Sequence, residues 1–445
     1  MTALEQLASF VAGHAPDERA QAQARRHAAD TIGAWIAACG TAEGRALLAF
    51  RGSDAALGDR VAIHCALARL SEVDDIHLGA MITPGAIVVP AALTIAASLP
   101  EADASDLTAA IVAGYEAMIR LGSAIDGPSA LYRGIWPSYF AAPFGVAAVA
   151  ARLMRLDEIQ TANALSTALI MAAPGTGHHA APTTARWLAV GHAAGRGLQA
   201  AQAARAGFTS DLKLADGEFL KNIYGIAPNI NVLGGGWAEP AIHQVSFKPW
   251  CAARQTMAAT QALKELIAEG VVAESIARIG VAVLPPHQKM IDHGITEGDR
   301  FSHLTSVQYQ MAVAALTPGI ADSISVPAGP VSPEISAFMA RIMVRAEESL
   351  LGAGYPMSWP AHVTVTTRTR RHERSVVHVP GDPERPFSDD ELKSKFVRVV
   401  ASLLNAERTD AMFAAALNAI EEPGMVLQAI GEIGDMAARA ADQSP

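Results

Sequence analysis

Pro84-Gly85-Ala86-Ile87-Val88-Val89-Pro90-Ala91-Ala92-Leu93-Thr94-Ile95-Ala96-Ala97-Ser98 holds one polar side chain, Thr94, before its closing serine. A helix that is apolar on every face is stable in water only when other elements cover it all round. The stretch is too short and too interrupted by Pro to cross a bilayer, which takes about 18 or more apolar residues. It therefore reads as the centre of a large helical core. Outward from it, segments 17–39, 56–70, 104–124, 141–156, 157–173 and 187–206 repeat apolar residues at spacings of three and four. Gly40, Pro100, Gly127-Pro128 and Pro174-Gly175-Thr176-Gly177 separate them.

After Gly234-Gly235-Gly236 the texture changes. Segments 275–284 and 342–346 read as strands, and 362–369 with 375–380 alternates apolar and polar residues as a hairpin does. Segments 306–316 and 332–340 between them read as helices, and the chain is helical again from 389 to 438. The expected fold is mostly α: a large helical domain built from both chain ends, 1–243 and 391–445, with a smaller, lid-like α+β domain, 244–390, inserted. No tandem repeat of fixed period is present.

Composition excludes several classes. With 445 residues, 51% of them hydrophobic and 18% charged, the chain is the reverse of a disordered one and has length for about two or three structural units. A net charge of -10 and a pI near 5.8 argue against a nucleic-acid partner, which needs clustered Lys and Arg. Mean hydropathy is positive, +0.22, yet no run of 18 apolar residues supports a membrane span. No basic segment followed by an apolar one opens the sequence, so a cytoplasmic location is expected. Cys39, Cys65 and Cys251 are odd in number and lack CxxC pairing, which rules out a disulfide framework and makes a poor iron–sulfur site. Buried small hydrophobes is the plain reading of all three. Cys251 stands apart because of its neighbours.

Three motifs carry candidate chemistry. In Glu72-Val73-Asp74-Asp75-Ile76-His77, ahead of Thr83-Pro84-Gly85, three carboxylates and an imidazole crowd between two helices. Such crowding pushes carboxylate pKa values apart, although a solvated acidic loop is the bland alternative. In Phe247-Lys248-Pro249-Trp250-Cys251-Ala252-Ala253-Arg254 the lysine precedes Pro, in extended backbone, at the expected domain junction. A surface lysine is its alternative. In Gly175-Thr176-Gly177-His178-His179 and Thr184-Ala185-Arg186-Trp187, ahead of Gly191-His192, Arg186 falls near a helix start that itself favours anions. An arginine there can hold a carboxylate through two parallel hydrogen bonds, and a solvated arginine is the alternative. Neither the acidic loop nor the adjacent histidines has metal-ligand spacing, so no metal is expected. With no GxGxxG, GxxxxGK[ST], GxSxG or HExxH pattern, no nucleotide cofactor is expected either.

Asp74-Asp75-Ile76-His77-Leu78, Thr83-Pro84-Gly85-Ala86 and Val89-Pro90-Ala91-Ala92 resemble the DDTH…HPGA…VPAAL segment of the MmgE/PrpD family. The resemblance continues in order through Arg133-Gly134-Ile135-Trp136-Pro137, Gly191-His192-Ala193-Ala194, Gly207-Phe208-Thr209, Lys248-Pro249-Trp250-Cys251, Ser306-Val307-Gln308-Tyr309 and Pro380-Gly381-Asp382-Pro383. The family includes 2-methylcitrate dehydratases, cis-aconitate decarboxylases and an iminodisuccinate epimerase. The resemblance implies the two-domain architecture above, a homodimer, and metal-independent removal of water or carbon dioxide from, or epimerisation of, a small carboxylate in a cleft between the domains. It implies no cofactor. Asp75, His77, Lys248 and Tyr309 match catalytic positions, while Glu72, Thr83, Trp136, Arg186, His178 and Cys251 are the expected substrate-binding set.

The departures from the pattern narrow the chemistry. Glu72 replaces an Asp, Ile76 the DDT threonine, Thr83 the HPGA histidine, Trp136 the histidine of the RGxHP segment, and Arg186 a Lys. Neither Thr nor Trp exchanges protons near neutral pH, whereas Arg for Lys keeps the cation and improves carboxylate recognition. The 2-methylcitrate and cis-aconitate reactions by the usual route are therefore disfavoured. The expected substrate is a small carboxylate, less charged than citrate or carrying an apolar group against Trp136. A lyase is the leading reading, an isomerase or epimerase of a small carboxylate or imino acid the second, and a degenerate carboxylate-binding member the third.

Overall fold

In a computed structural model the structure describes residues 1–51, 55–172, 183–236, 238–320, 324, 329–352 and 354–442. The chain is mostly helical, with a four-stranded and a two-stranded sheet among the described residues. It divides into two compact units: Met1–His179, Thr184–Phe247 and Asp389–Pro445 form the first, and Ala180–Thr183 with Lys248–Ser388 the second.

Helices of the first unit follow from the apolar spacing. Glu18–Cys39, Leu57–Leu70, Gly85–Ala96, Ala104–Ala124, Pro137–Leu153, Glu158–Ile170 and Ala185–Arg205 are the segments that the pattern marks, give or take a few terminal residues. Every residue of Gly85–Ala96 is buried, as an all-apolar helix requires. Close approach depends on small residues. A Cβ at Gly191 would lie 2.2 Å from the Ala62 carbonyl, and one at Gly197 2.3 Å from that of Pro143, so Ala185–Arg205 packs backbone to backbone on two neighbours. Ala3–Gly13 and Ala42–Arg51 are among the helices that escape the periodic reading. The first carries its signal in a capping box, Thr2 with Glu5.

In the second unit the strand order is β4-β3-β5-β6, with β3 Ile276–Val283, β4 Ile342–Ala346, β5 Ala361–Thr367 and β6 Arg371–Val376. β3 and β4 are parallel, and β5 pairs antiparallel with β3 and β6. Ala361, Val363 and Val365 of β5 point inward, against the core that Met257, Ala258 and Leu263 of the Arg254–Ala268 helix share. The last strand corrects the sequence reading of 375–380. It begins at Arg371, and Arg371 and Glu373 face outward because it lies at the sheet edge. Arg374 reaches Glu265 and Glu269, and Arg371 pairs with Glu373.

Among the described residues no helix is long and apolar enough to cross a membrane.

Candidate functional site

All three motifs depart from the solvated alternatives. Between Ser71 and Gly85, every residue except Gly79 is buried, Lys248 is 2% exposed, and Arg186 is 3% exposed. Buried charge is costly unless paired, so each such group has to be explained by its partners.

Asp75 sits beneath the loop. Its Oδ1 accepts the Gly85 N–H at 2.8 Å, its Oδ2 accepts the Tyr115 hydroxyl at 2.7 Å, and His27 Nδ1 lies 2.7 Å from Oδ2. The carboxylate thus caps the Gly85–Ala96 helix from a distance. A Cβ on residue 85 would lie 2.6 Å from that carboxylate, which is why glycine follows Pro84. Burial and Asp75 together push the Tyr115 phenol well above its usual range. Beside this cluster Lys395 Nζ lies 2.5 Å from Asp30 and donates to the Val73 carbonyl at 3.0 Å, pinning the loop backbone.

His77 belongs to a two-residue strand, β1 Ile76–His77, paired antiparallel with β2 Val245–Ser246. Its Nδ1 accepts the Ala80 N–H at 3.0 Å, and its Nε2 lies 3.2 Å from Gln244 Oε1. Both ring nitrogens are engaged, and burial lowers its pKa to about 4, so this geometry holds a neutral strut. Between the ordinary value near 6.5 and about 4 the unfolded chain binds a proton that the folded chain refuses. Stability is full above pH 6.5 and falls as pH drops through that window, by about 3 kcal/mol. Urea midpoints at pH 7 and pH 4.5 should diverge less for His77→Gln than for wild type; an unchanged gap would contradict the strut assignment.

Above the acidic loop runs a stack of cations and indoles. Arg69 Nη1 lies 3.0 Å from Glu72 and 3.3 Å from Asp74. Burial opposes its charge, but Asp74 and Glu72 outweigh burial and hold the guanidinium protonated. Glu72 adopts a left-handed backbone, φ 58°, an expensive conformation for a non-glycine residue and one that concentrates at functional sites. Arg69 Cζ is 5.9 Å from the Trp187 ring centre, and Arg186 Cζ is 4.9 Å from Trp187 and 4.2 Å from Trp136. Trp136 precedes Pro137 at a helix start, and Ser138 there accepts from both the Thr83 N–H, at 2.9 Å, and the Thr83 hydroxyl, at 3.0 Å. The structure thus links Glu72, Thr83, Trp136 and Arg186 through Arg69, Trp187 and Ser138. Trp136 does not simply offer its ring to a substrate: Arg186 lies over it, and Tyr139 packs 5.6 Å away.

The second unit holds the other candidates. Arg300 Nη2 donates to Cys251 Sγ at 3.7 Å, and the Ala253 N–H donates to the Leu304 carbonyl at 2.9 Å, so the turn after Lys248 docks on the short Arg300–Thr305 helix. Tyr309 opens the next helix, Val307–Leu316, half-buried. Burial, and after it Cys251, raises its phenol pKa. Cys65 and Cys39 are buried on main-chain carbonyls, as the plain reading has it. His178 lies outside the described residues. Among the described residues no group of three or more His, Cys, Asp or Glu could hold a metal ion.

Sequence reading missed Arg69, Trp187, Tyr115, His27 and Lys395. Arg69 alone left a signal, three residues before Glu72 at a helix end.

This fold falls into a class that the comparisons define. Family models described as the MmgE/PrpD N-terminal domain and the MmgE/PrpD C-terminal domain match residues 5–222 and 250–419. The chain belongs to the MmgE/PrpD family, and membership supports a dehydratase-like or related enzyme. A search of curated proteins returned no match.

Proposed function

We propose that the protein is a lyase of a small carboxylate, withdrawing a proton beside a carboxylate or carbonyl and expelling water or carbon dioxide. The observation that carries this reading is the buried Arg186 guanidinium against the faces of Trp136 and Trp187. Stacking engages the face of a guanidinium and keeps its donors in its own plane, the geometry that a carboxylate meets with paired hydrogen bonds. Low surrounding polarity strengthens such a bond. Binding is assigned to Arg186, with Thr83, Trp136 and Glu72 shaping its surroundings. Proton transfer is assigned to Lys248 and Tyr309, and Cys251 joins the binding set. Asp75 and His77 become positioning residues, since their polar atoms are spent on the loop. A homodimer is part of the proposal on the family resemblance alone.

The test is a set of small carboxylates incubated with purified protein in deuterated water and followed by NMR. Net conversion to an unsaturated or decarboxylated product supports the lyase, uptake without conversion supports the epimerase reading, and binding alone supports the degenerate one. For a converted compound, Arg186→Ala should mainly raise KM, while Tyr309→Phe and Lys248→Ala should lower kcat by about 100-fold. Weaker binding with unchanged kcat in all three variants would sink these roles.

A further inference from the structure

His303 is a buried imidazole to which neither motif nor resemblance gives a role. It lies on the Arg300–Thr305 helix, the same short helix that carries Arg300 onto Cys251, and is 6% exposed. Its Nδ1 is 3.0 Å from the Asp299 carbonyl, which can only accept, so Nδ1 carries a hydrogen and in the neutral ring Nε2 is the nitrogen with the lone pair. Nε2 is buried and has no hydrogen-bond partner. Buried polar atoms without partners are rare enough in folded proteins that each asks for an explanation. The ring packs edge to face on Tyr309, with centres 4.9 Å apart. The Gln310 side chain donates to the His303 carbonyl at 3.0 Å and fixes its backbone.

We propose that His303 is a further proton-transfer residue, its Nε2 acting as the base and Tyr309 as its partner acid. The proposal rests on the lyase reading above. It supplies the imidazole that Thr83 and Trp136 took out of the usual set. In a dehydration, Nε2 takes the proton from the substrate C–H, the C–H electron pair forms the double bond, and the C–O bond breaks. The leaving hydroxide takes the Tyr309 hydroxyl proton and departs as water. The imidazolium then returns its proton to the Tyr309 phenolate, so both side chains end as they began.

Two measurements test this. In protein labelled with 15N-histidine, the signal lost in His303→Gln identifies His303, and it should report hydrogen on Nδ1; hydrogen on Nε2 would overturn the proposal. In deuterated water with malate, citramalate and citraconate as probes, His303→Gln should lose about 100-fold or more of the deuterium uptake. The dissociation constant of the same probe, and the melting temperature, should stay close to wild type. Uptake that persists in His303→Gln overturns the role of His303, as does a variant that loses probe binding and uptake together. Wild-type protein that exchanges no probe counts against the lyase reading instead, while the labelled histidine still decides the tautomer.

Discussion

Asp75→Ala should destabilise the first unit by about 3–5 kcal/mol, because it deprives two buried donors of their shared acceptor and removes the carboxylate that His27 packs against. The Gly85 N–H, the Tyr115 hydroxyl and His27 all meet one carboxylate that is 0% exposed. Each orphaned donor costs on the order of 1–3 kcal/mol, and the Gly85–Ala96 helix also loses the group that caps its first turn. Asp75→Asn should cost less, since an amide oxygen can still accept from Gly85. Thermal and urea unfolding of both variants checks this. A well-folded Asp75→Ala protein with a wild-type melting temperature and no turnover would instead make Asp75 a group that acts on substrate.

Arg254→Met should weaken the second unit by a similar amount. Arg254 Nη2 donates to both oxygens of Asp382, at 2.9 and 2.7 Å, and the Val379 N–H donates to Asp382 at 2.8 Å. Both charged side chains are about 1% exposed. Removing the cation leaves a buried carboxylate with one neutral donor, which costs about 3–5 kcal/mol. Arg254 Nε and Nη1 are buried without hydrogen-bond partners, so the intact pair already bears a desolvation cost. The double variant Arg254→Met/Asp382→Leu should therefore recover most of the loss. A double variant no more stable than Arg254→Met would show that the pair contributes more than its own desolvation.

The helical half was legible because burial on most faces leaves a strong periodic trace; the 104–124 pattern and the Ala104–Ala124 helix coincide. Edge strand β6 was not, because Arg371 and Glu373 face outward while Arg374 on the opposite face is spent on Glu265 and Glu269, and hydropathy reads such a charged strand as a turn. Arg186, Trp136, Thr83 and Glu72 were visible as departures from a family pattern. Their linkage needed the fold, since Trp187 and Ser138 join residues far apart in sequence. Asp75 and His77 were legible as important but not in what they do. Sequence shows that a carboxylate is present and is silent on whether backbone N–H groups and a phenol have already claimed it.

The most direct test of the central claim is calorimetric titration of wild type and Arg186→Met with the same small carboxylates. The stacked-guanidinium account predicts that at least one binds wild type with Kd below about 1 mM and that Arg186→Met weakens it by roughly 30-fold or more, the worth of a charge-assisted hydrogen-bonded contact of about 2–3 kcal/mol. Equal affinity in a folded Arg186→Met protein would contradict it.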